Sequence, residues 1–195
     1  MLEYLRWFAA ILILITTFFL LLSRDWRLSL AVLAAQYLAI FVLFLAHWPL
    51  TMAAAKLITG WMAAAILGIT LSNRADFLPV QTSRIFKFFL ALVVMGAAVQ
   101  AVSVVSEWLP VASSSLALAG LLLIAQGILQ LGMTVDPFRV SLGLLTTLSG
   151  FELLSAPLDN SILVAALLAA VTLGIALIGS YLLLLQFATG PEAAE

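Results

Sequence analysis

Long apolar runs separated by short polar breaks occupy almost the whole sequence. Seven of these runs approach the roughly 20 residues that an α-helix needs to cross a hydrocarbon core about 30 Å thick. Runs of this length are too long for the strands of a barrel, and an open sheet leaves backbone groups unsatisfied in lipid. The pattern therefore predicts an all-α fold, a polytopic transmembrane helix bundle of about seven spans. The predicted spans are Leu5–Leu22, Leu28–Ala46, Leu50–Leu71, Ile85–Ser106, Ser113–Met133, Phe138–Ala156 and Ser161–Phe187.

The breaks between the runs carry residues that end one helix and start the next. Proline stands in several of them, including His47-Trp48-Pro49, Leu109-Pro110 and Asp136-Pro137. Proline blocks continuation of a helix, and an Asp or Asn in a break caps the next start. Because every break is short, we expect residues 1–195 to form a single transmembrane domain without a separate soluble domain.

Composition narrows the class of protein. Hydrophobic residues make up 65% of the chain and charged residues 9%, whereas about a quarter of a soluble domain is charged. The scattered basic residues give no clustered face for nucleic acid. The chain has no cysteine, which excludes disulfides and thiolate-held zinc or iron–sulfur sites. Its single histidine, His47, cannot form a bis-histidine haem site alone, so we expect no cofactor and no metal on this chain.

Most basic residues fall on one side of the predicted topology. When the breaks are numbered alternately, six share a side: Arg24, Arg27, Arg74, Arg84, Lys87 and Arg139. Positive charge in short loops stays cytoplasmic. We therefore expect an integral protein of a prokaryotic inner membrane, with its N-terminus outside and its C-terminus in the cytoplasm. Tryptophans near the predicted boundaries, Trp48 among them, fit the preference of indole rings for the membrane interface.

Two segments of the sequence share a pattern that indicates an internal repeat. The segment Arg27–Leu33 and the segment Arg139–Leu145 carry Arg, Ser and two Leu at the same offsets, and each begins a helix that runs outward. The repeat predicts two tandem three-helix units, 1–72 and 113–190, joined by a connecting helix at 85–106. Parallel repeats of this kind are common in transport proteins. Chance similarity in an apolar chain of low complexity is the alternative.

Two charges and four amides lie inside the predicted spans. Lys56 lies about two turns from the outer end of the third span, and Glu152 about one turn from the outer end of the sixth. Their similar depth allows them to pair. The predicted polar or water-holding residues are Gln36, Gln100, Gln126 and Gln130.

The intramembrane polar residues allow two interpretations. One is a proton or cation path in which Lys56 and Glu152 are the relay groups, because an intramembrane charge usually faces a bundle interior or a water path. The other is structural: the amides bond helices together, Lys56 snorkels outward and Glu152 lies at a wet helix end.

Glycines inside the spans indicate close helix contacts, since small residues let transmembrane backbones approach. The candidates are Gly96, Gly120, Gly127, Gly132, Gly143, Gly174 and Gly179.

Short motifs carry a family resemblance. Arg27-Leu28-Ser29 followed by Gln36 resembles membrane component E of hydrogenase-4 complexes, and the stretch 53–59, which contains Lys56, resembles the third helix of that family. The second half is similar to the three-helix K-type subunit of respiratory complex I, with an Arg-bearing cytoplasmic turn and Glu152 in the middle helix of the unit. The resemblance covers most of the chain in helix order.

The resemblance implies a role for the chain. It implies a non-redox membrane subunit of a complex I-like or hydrogenase-linked assembly that translocates protons or sodium ions, with antiporter-like membrane subunits as partners. Glu152 would match the middle-helix glutamate of the family, Lys56 a third-helix relay group, and Gln36 the amide of the first unit.

One departure from the family pattern is clear: the last span has no ionisable side chain except Tyr181, where a K-type subunit usually carries a second acidic residue.

Two alternatives to the implied role remain, namely a small solute permease and a purely structural scaffold subunit. None of the three would be an enzyme by itself.

Overall fold

The computed structural model describes residues 2–23, 25–45, 47–72, 84–108, 113–158 and 161–188, and seven α-helices account for nearly all of these residues. The described residues contain no strand, and every helix end lies within three residues of its predicted position, which confirms an all-α helical bundle. Two residues used for the orientation, Arg24 and Arg74, lie outside the described residues. The helices are α1 (Leu2–Leu22), α2 (Trp26–Phe44), α3 (Leu50–Ser72), α4 (Arg84–Trp108), α5 (Ser114–Gly132), α6 (Pro137–Ser155) and α7 (Ile162–Ala188).

Five helices, α2, α3, α4, α5 and α7, are long and apolar enough to cross a membrane. This property indicates an integral membrane protein. Helix α1 contributes a shorter apolar stretch, Arg6–Leu22. Helix α6 has 19 residues and carries hydroxyl and charged side chains among its apolar ones. The crossing of the membrane by all seven helices therefore remains a prediction for α1 and α6.

Helices α2 and α6 begin in the same way. Each follows an aspartate in extended conformation, Asp25 or Asp136, and Pro137 occupies the first turn of α6, where its missing N–H costs nothing. Near each start a serine hydroxyl donates to the carbonyl four residues earlier, at 3.0 Å for Ser29 and 2.8 Å for Ser141. These are the two serines that match in the predicted repeat.

Two long-range hydrogen bonds identify the two ends of the bundle. At one end, Arg139 Nη2 at the start of α6 donates to Ser23 O after α1, at 2.9 Å. At the other end, Trp48 Nε1 just before α3 donates to Ala156 O after α6, at 3.2 Å. These ends are called the Arg139 end and the Trp48 end below.

Helices at equivalent positions in the two predicted units pack against one another. Helix α1 contacts α5, α2 contacts α6, and α3 contacts α7, in addition to the contacts between neighbours within each unit. Helix α3 begins 24 residues after α2, and α7 begins 25 residues after α6. Helix α4 packs mainly on α5 and leaves most of its surface exposed. The division into units remains a prediction, which this spacing and packing support.

The most extensive contact between two described helices is that of α5 with α6, and paired glycines allow it. A Cβ on Gly150 would lie 2.7 Å from Gly120 O, and a Cβ on Gly127 would lie 2.8 Å from Gly143 O. The partners are seven residues apart on each helix, as expected for two antiparallel helices whose backbones touch along one seam. Gly179 of α7 also makes close contacts, against α6 and α3, as predicted. Three other candidate glycines, Gly96, Gly132 and Gly174, have open space around them: within the described part of the chain, a Cβ added at any of them would meet no neighbouring atom within 4 Å.

Candidate intramembrane ion-pair site

Lys56 of α3 and Glu152 of α6 form an ion pair inside the bundle. Lys56 Nζ lies 2.6 Å from each of the carboxylate oxygens Oε1 and Oε2. The side chains are only 5% and 1% exposed. The pairing that their similar depth allowed is therefore present in the structure.

Thr172 of α7 completes the site. Lys56 Nζ donates a second hydrogen bond to Thr172 Oγ1 at 2.8 Å, and the threonine hydroxyl donates in turn to Leu168 O at 2.8 Å. The site thus joins α3, α6 and α7. The sequence analysis did not single out Thr172, because threonine is common in transmembrane helices. Its position among the apolar residues of α7 was the one feature that could have indicated a polar contact.

The ammonium group of Lys56 points into the bundle. Lys56 lies six residues into α3 and Thr172 ten residues into α7, which puts their Cα atoms about 9 Å and about 15 Å from the starts of their helices. Ser180 Oγ of α7 meets Thr70 Oγ1 of α3, so the two helices run parallel and nearly level. Because Thr172 lies farther from the Trp48 end than Lys56 does, the lysine side chain that reaches it extends away from that end. Lys56 therefore does not snorkel outward, as the structural interpretation of this residue expected.

Tyr37 of α2 closes the bundle beside the ion pair. Its ring lies directly against Gly60 of α3, at a position where any Cβ would overlap it. The side chain is fully buried, and its hydroxyl approaches Ser149, one turn before Glu152, and lies within electrostatic reach of that carboxylate. Sequence inspection missed Tyr37 because nothing in its local pattern reveals that it faces α6.

A crevice of about 240 Å³ leads to the ion pair from the side of α3 and α7. Both charged residues line it, and the rest of its walls are mostly small or apolar side chains, including Ala55, Ala165 and Ala169. Trp48 also lines it. The indole of Trp48 stacks on Phe44, with 4.5 Å between ring centroids, and is 8% exposed, so this tryptophan is part of the packed bundle.

The four amides lie in different environments. Gln126 donates to Ala91 O of α4 at 3.1 Å, and Gln130 donates to Arg139 O at 3.0 Å. Both bonds join helices, as the structural interpretation expects. Gln36 is buried, and its Oε1 accepts no hydrogen bond from the described residues. Gln100 lies on the exposed face of α4.

None of the hydrogen bonds in the described residues joins these amides to the ion pair. A continuous polar path through the chain is therefore not formed by direct contacts between them. Their role in holding water stays a prediction.

Two titratable groups at the helix ends have shifted pKa values. Burial lowers the pKa of His47 below its usual value, and the positive charge of Arg6 lowers it further. Burial raises the pKa of Asp136, and the nearby Arg139 partly offsets this effect. His47 is thereby kept neutral near pH 7.

The described residues contain no group of three or more His, Asp or Glu side chains that could hold a metal ion. The site consists of one cation, one anion and one hydroxyl, all buried. Such a set can hold, exchange or store a proton, and it can bind water, but it offers no nucleophile aligned with a base.

The fold and the site define the class of protein: an integral membrane helix bundle with an ion pair buried between its helices. Comparison of the chain with protein-family models, with curated proteins and with solved structures finds no match.

Proposed function

We propose that the chain is a non-redox membrane subunit of an assembly that translocates protons or sodium ions, of the complex I-like or hydrogenase-linked kind. In this proposal the pair of Lys56 and Glu152 is the titrating group. The observation that carries the proposal is the pair itself, buried in the bundle and reached by a crevice.

The energetics favour a functional pair over a purely structural one. A lysine near the centre of a membrane costs about 3 kcal/mol on insertion scales, and replacing a buried ion pair by apolar residues is often neutral or stabilising. Glu152 also lies in the last turn of α6, where the negative end of the helix dipole disfavours a carboxylate. A pair needed only to hold helices together would not place a lysine in the membrane and a carboxylate at the C-terminal end of a helix.

The predicted repeat offers an internal comparison. Under the offset that aligns Arg27 with Arg139, Glu152 corresponds to Ile40 and Lys56 corresponds to Leu168. Ile40 is fully buried in the core. The first unit therefore packs its equivalent position with an apolar residue, which supports a role for the charges beyond packing.

The two alternatives have weaker support. A scaffold subunit would show Lys56 and Glu152 facing water at the helix ends, but both are buried. A permease of the broken-helix type would show matched interruptions in its helices, whereas the described helices are continuous and contain no residue with positive φ.

Orientation and location are part of the proposal. Arg27 and Arg139 lie at the same end of the bundle, the ends of α1 and α6 being joined there. If this end is cytoplasmic by the positive-inside rule, the N-terminus is outside, the C-terminus is cytoplasmic, and the Trp48 end faces outward in a prokaryotic inner membrane.

Ion translocation by the intact assembly tests the relay. We expect Glu152→Gln or Lys56→Met to lower translocation at least tenfold, because each variant removes a titrating group while keeping the side-chain size. Ile40→Val, at the equivalent position of the first unit, is the matched control and should leave the rate unchanged. Normal translocation by both charge variants, in an assembly that still forms, would leave only the scaffold role.

An exposed polar face on α4 supports the presence of partner subunits. Gln100, Ser103 and Glu107 lie at helical spacing on an exposed side of this helix, and Gln100 is about 12 Å from its end by helix rise. An amide facing lipid at this depth lacks hydrogen-bond partners, and transmembrane helices supply them to one another. We propose that a helix of a partner membrane subunit packs here.

Co-purification in mild detergent tests this partner contact. Gln100→Leu should reduce recovery of the partner chains by several fold, because an interhelical amide bond is worth about 0.6–2 kcal/mol. Val99→Leu, an apolar exchange at an exposed position about 100° round the same helix from Gln100, should not. Equal recovery with both variants would remove this face from the interface.

A further inference from the structure

The crevice between α3 and α7 has properties that suit water as its occupant. The two charged residues lie on its wall, and its lining residues on α3 and α7 come from the first third of each helix, next to the Trp48 end. Glu152 Oε2 accepts no hydrogen bond from the described residues, although it lies 2.6 Å from Lys56 Nζ. A carboxylate oxygen has room for more than one donor, so a water molecule in the crevice would find an acceptor.

The space is large enough for several water molecules, since one water occupies about 30 Å³ in the liquid and the crevice measures about 240 Å³. Its walls also include Thr51, which is exposed near the start of α3. An entirely apolar space of this kind would stay dry, but the charged pair and the Thr51 hydroxyl on its walls give water the polar partners it needs.

The bundle is sealed on the other side of the ion pair. The Tyr37 ring lies against Gly60. Further toward the Arg139 end, Ala63 of α3 and Ala176 of α7 are completely buried, and Gly179 packs against Leu67 and Ser141. Within the described residues, the pair thus borders the crevice on its Trp48 side and packed side chains on its Arg139 side.

We infer that the crevice is a one-sided water inlet, through which water and the protons it carries reach Glu152 from the Trp48 end only. This inference rests on the proposed function for its meaning: the inlet loads the relay, and the described residues give the proton no exit toward the Arg139 end. Exit would require a partner subunit or a rearrangement of α3 and α7. A proton entering from water would bind the carboxylate of Glu152 and weaken its attraction for Lys56, which would keep its hydrogen bond to Thr172.

Thiol labelling tests the inlet directly, because the chain contains no cysteine and each introduced cysteine is unique. Ala55→Cys and Ala169→Cys place a thiol on the crevice walls. Leu167→Cys, two residues from Ala169, places one on a lipid-exposed face at the same depth, and Ala176→Cys places one in the sealed region. A charged, membrane-impermeant methanethiosulfonate is added to one side or the other of oriented vesicles that carry the assembly.

We expect the two crevice cysteines to react from a single side, at least tenfold faster than the lipid-facing and sealed cysteines, because thiols react as thiolates and need water. That side identifies the Trp48 end, and the proposed orientation requires it to be the outer one. Slow reaction at both crevice positions from either side, or equal reaction at Leu167→Cys, would overturn the inlet. Reaction from both sides would overturn its one-sidedness.

The labelling and translocation experiments can contradict the inlet and the relay separately. If the crevice cysteines react as expected while Glu152→Gln translocates normally, the inlet stands and the relay falls. If Glu152→Gln blocks translocation while the crevice cysteines stay unreactive, the relay stands and its water arrives by another route.

Discussion

Glu152→Leu should destabilise the folded protein by about 3–5 kcal/mol, because it leaves the buried ammonium of Lys56 without its counter-ion. Lys56 would keep only its hydrogen bond to Thr172, which cannot neutralise a full charge. The double variant Lys56→Met with Glu152→Leu should recover most of this loss, since an apolar pair in the same volume is often as stable as the ion pair. Unfolding of the purified protein in mixed detergent measures both free energies.

The same cycle of variants separates stability from function. If the pair only holds helices together, the stable double variant should also restore ion translocation by the assembly. If the pair is the relay, the double variant should be folded, assembled and inactive. A charge exchange, Lys56→Glu with Glu152→Lys, adds a further comparison, because it keeps one charge of each sign but moves the carboxylate from α6 to α3. A double variant as unstable as Glu152→Leu alone would contradict our account of the site energetics.

Gly127→Ala and Gly150→Ala should each destabilise the protein by about 1–3 kcal/mol, the usual range for an overpacked interior. Each added Cβ would lie within 2.8 Å of backbone atoms of the facing helix. Backbone cannot move aside as a side chain does, so α5 and α6 would have to separate. This loss opposes the gain of about 1 kcal/mol that alanine offers over glycine within a helix.

Other glycines of the same chain provide the controls. Gly174→Ala, in open space on α7, should be neutral or slightly stabilising. Gly120→Ala should be intermediate, because its nearest atoms are Cγ and Cδ2 of the Leu154 side chain, which can change rotamer. The measurement is the free energy of unfolding of the isolated protein in detergent. Equal effects at Gly127 and Gly174 would mean that the α5–α6 contact is looser than the structure has it.

The helices could be predicted from the sequence because the length of each apolar run is set by membrane thickness, independently of how helices pack. The depth of Lys56 and Glu152 followed from the same count, and depth was enough to suggest that they pair. Thr172 and Tyr37 could not be placed in this way. Whether a residue in an apolar helix faces the site depends on the rotation of the helix about its axis, and apolar residues on all sides give no signal for that rotation.

The glycines also show that the sequence does not reveal which residues of a helix face a neighbouring helix. Gly120, Gly127 and Gly143 were expected to make close contacts and do, whereas Gly96 and Gly174 were expected to and have open space. Gly150, the partner of Gly120, was not among the candidates. A contact glycine becomes recognisable only when its partner at the matching height on the other helix is known, and the seven-residue spacing on both α5 and α6 was the signal that could have revealed it.

The packing of α1 on α5, α2 on α6 and α3 on α7 has a consequence for how such a chain could arise. Two identical three-helix chains lying side by side in the same order, related by a shift rather than by a two-fold axis, would make these same contacts, and such a pair would carry its intramembrane residues in duplicate. Joining the copies through an additional helix such as α4 allows each to mutate separately. A lysine can then persist in one copy and a glutamate in the other, so that a single ion pair replaces two identical sites.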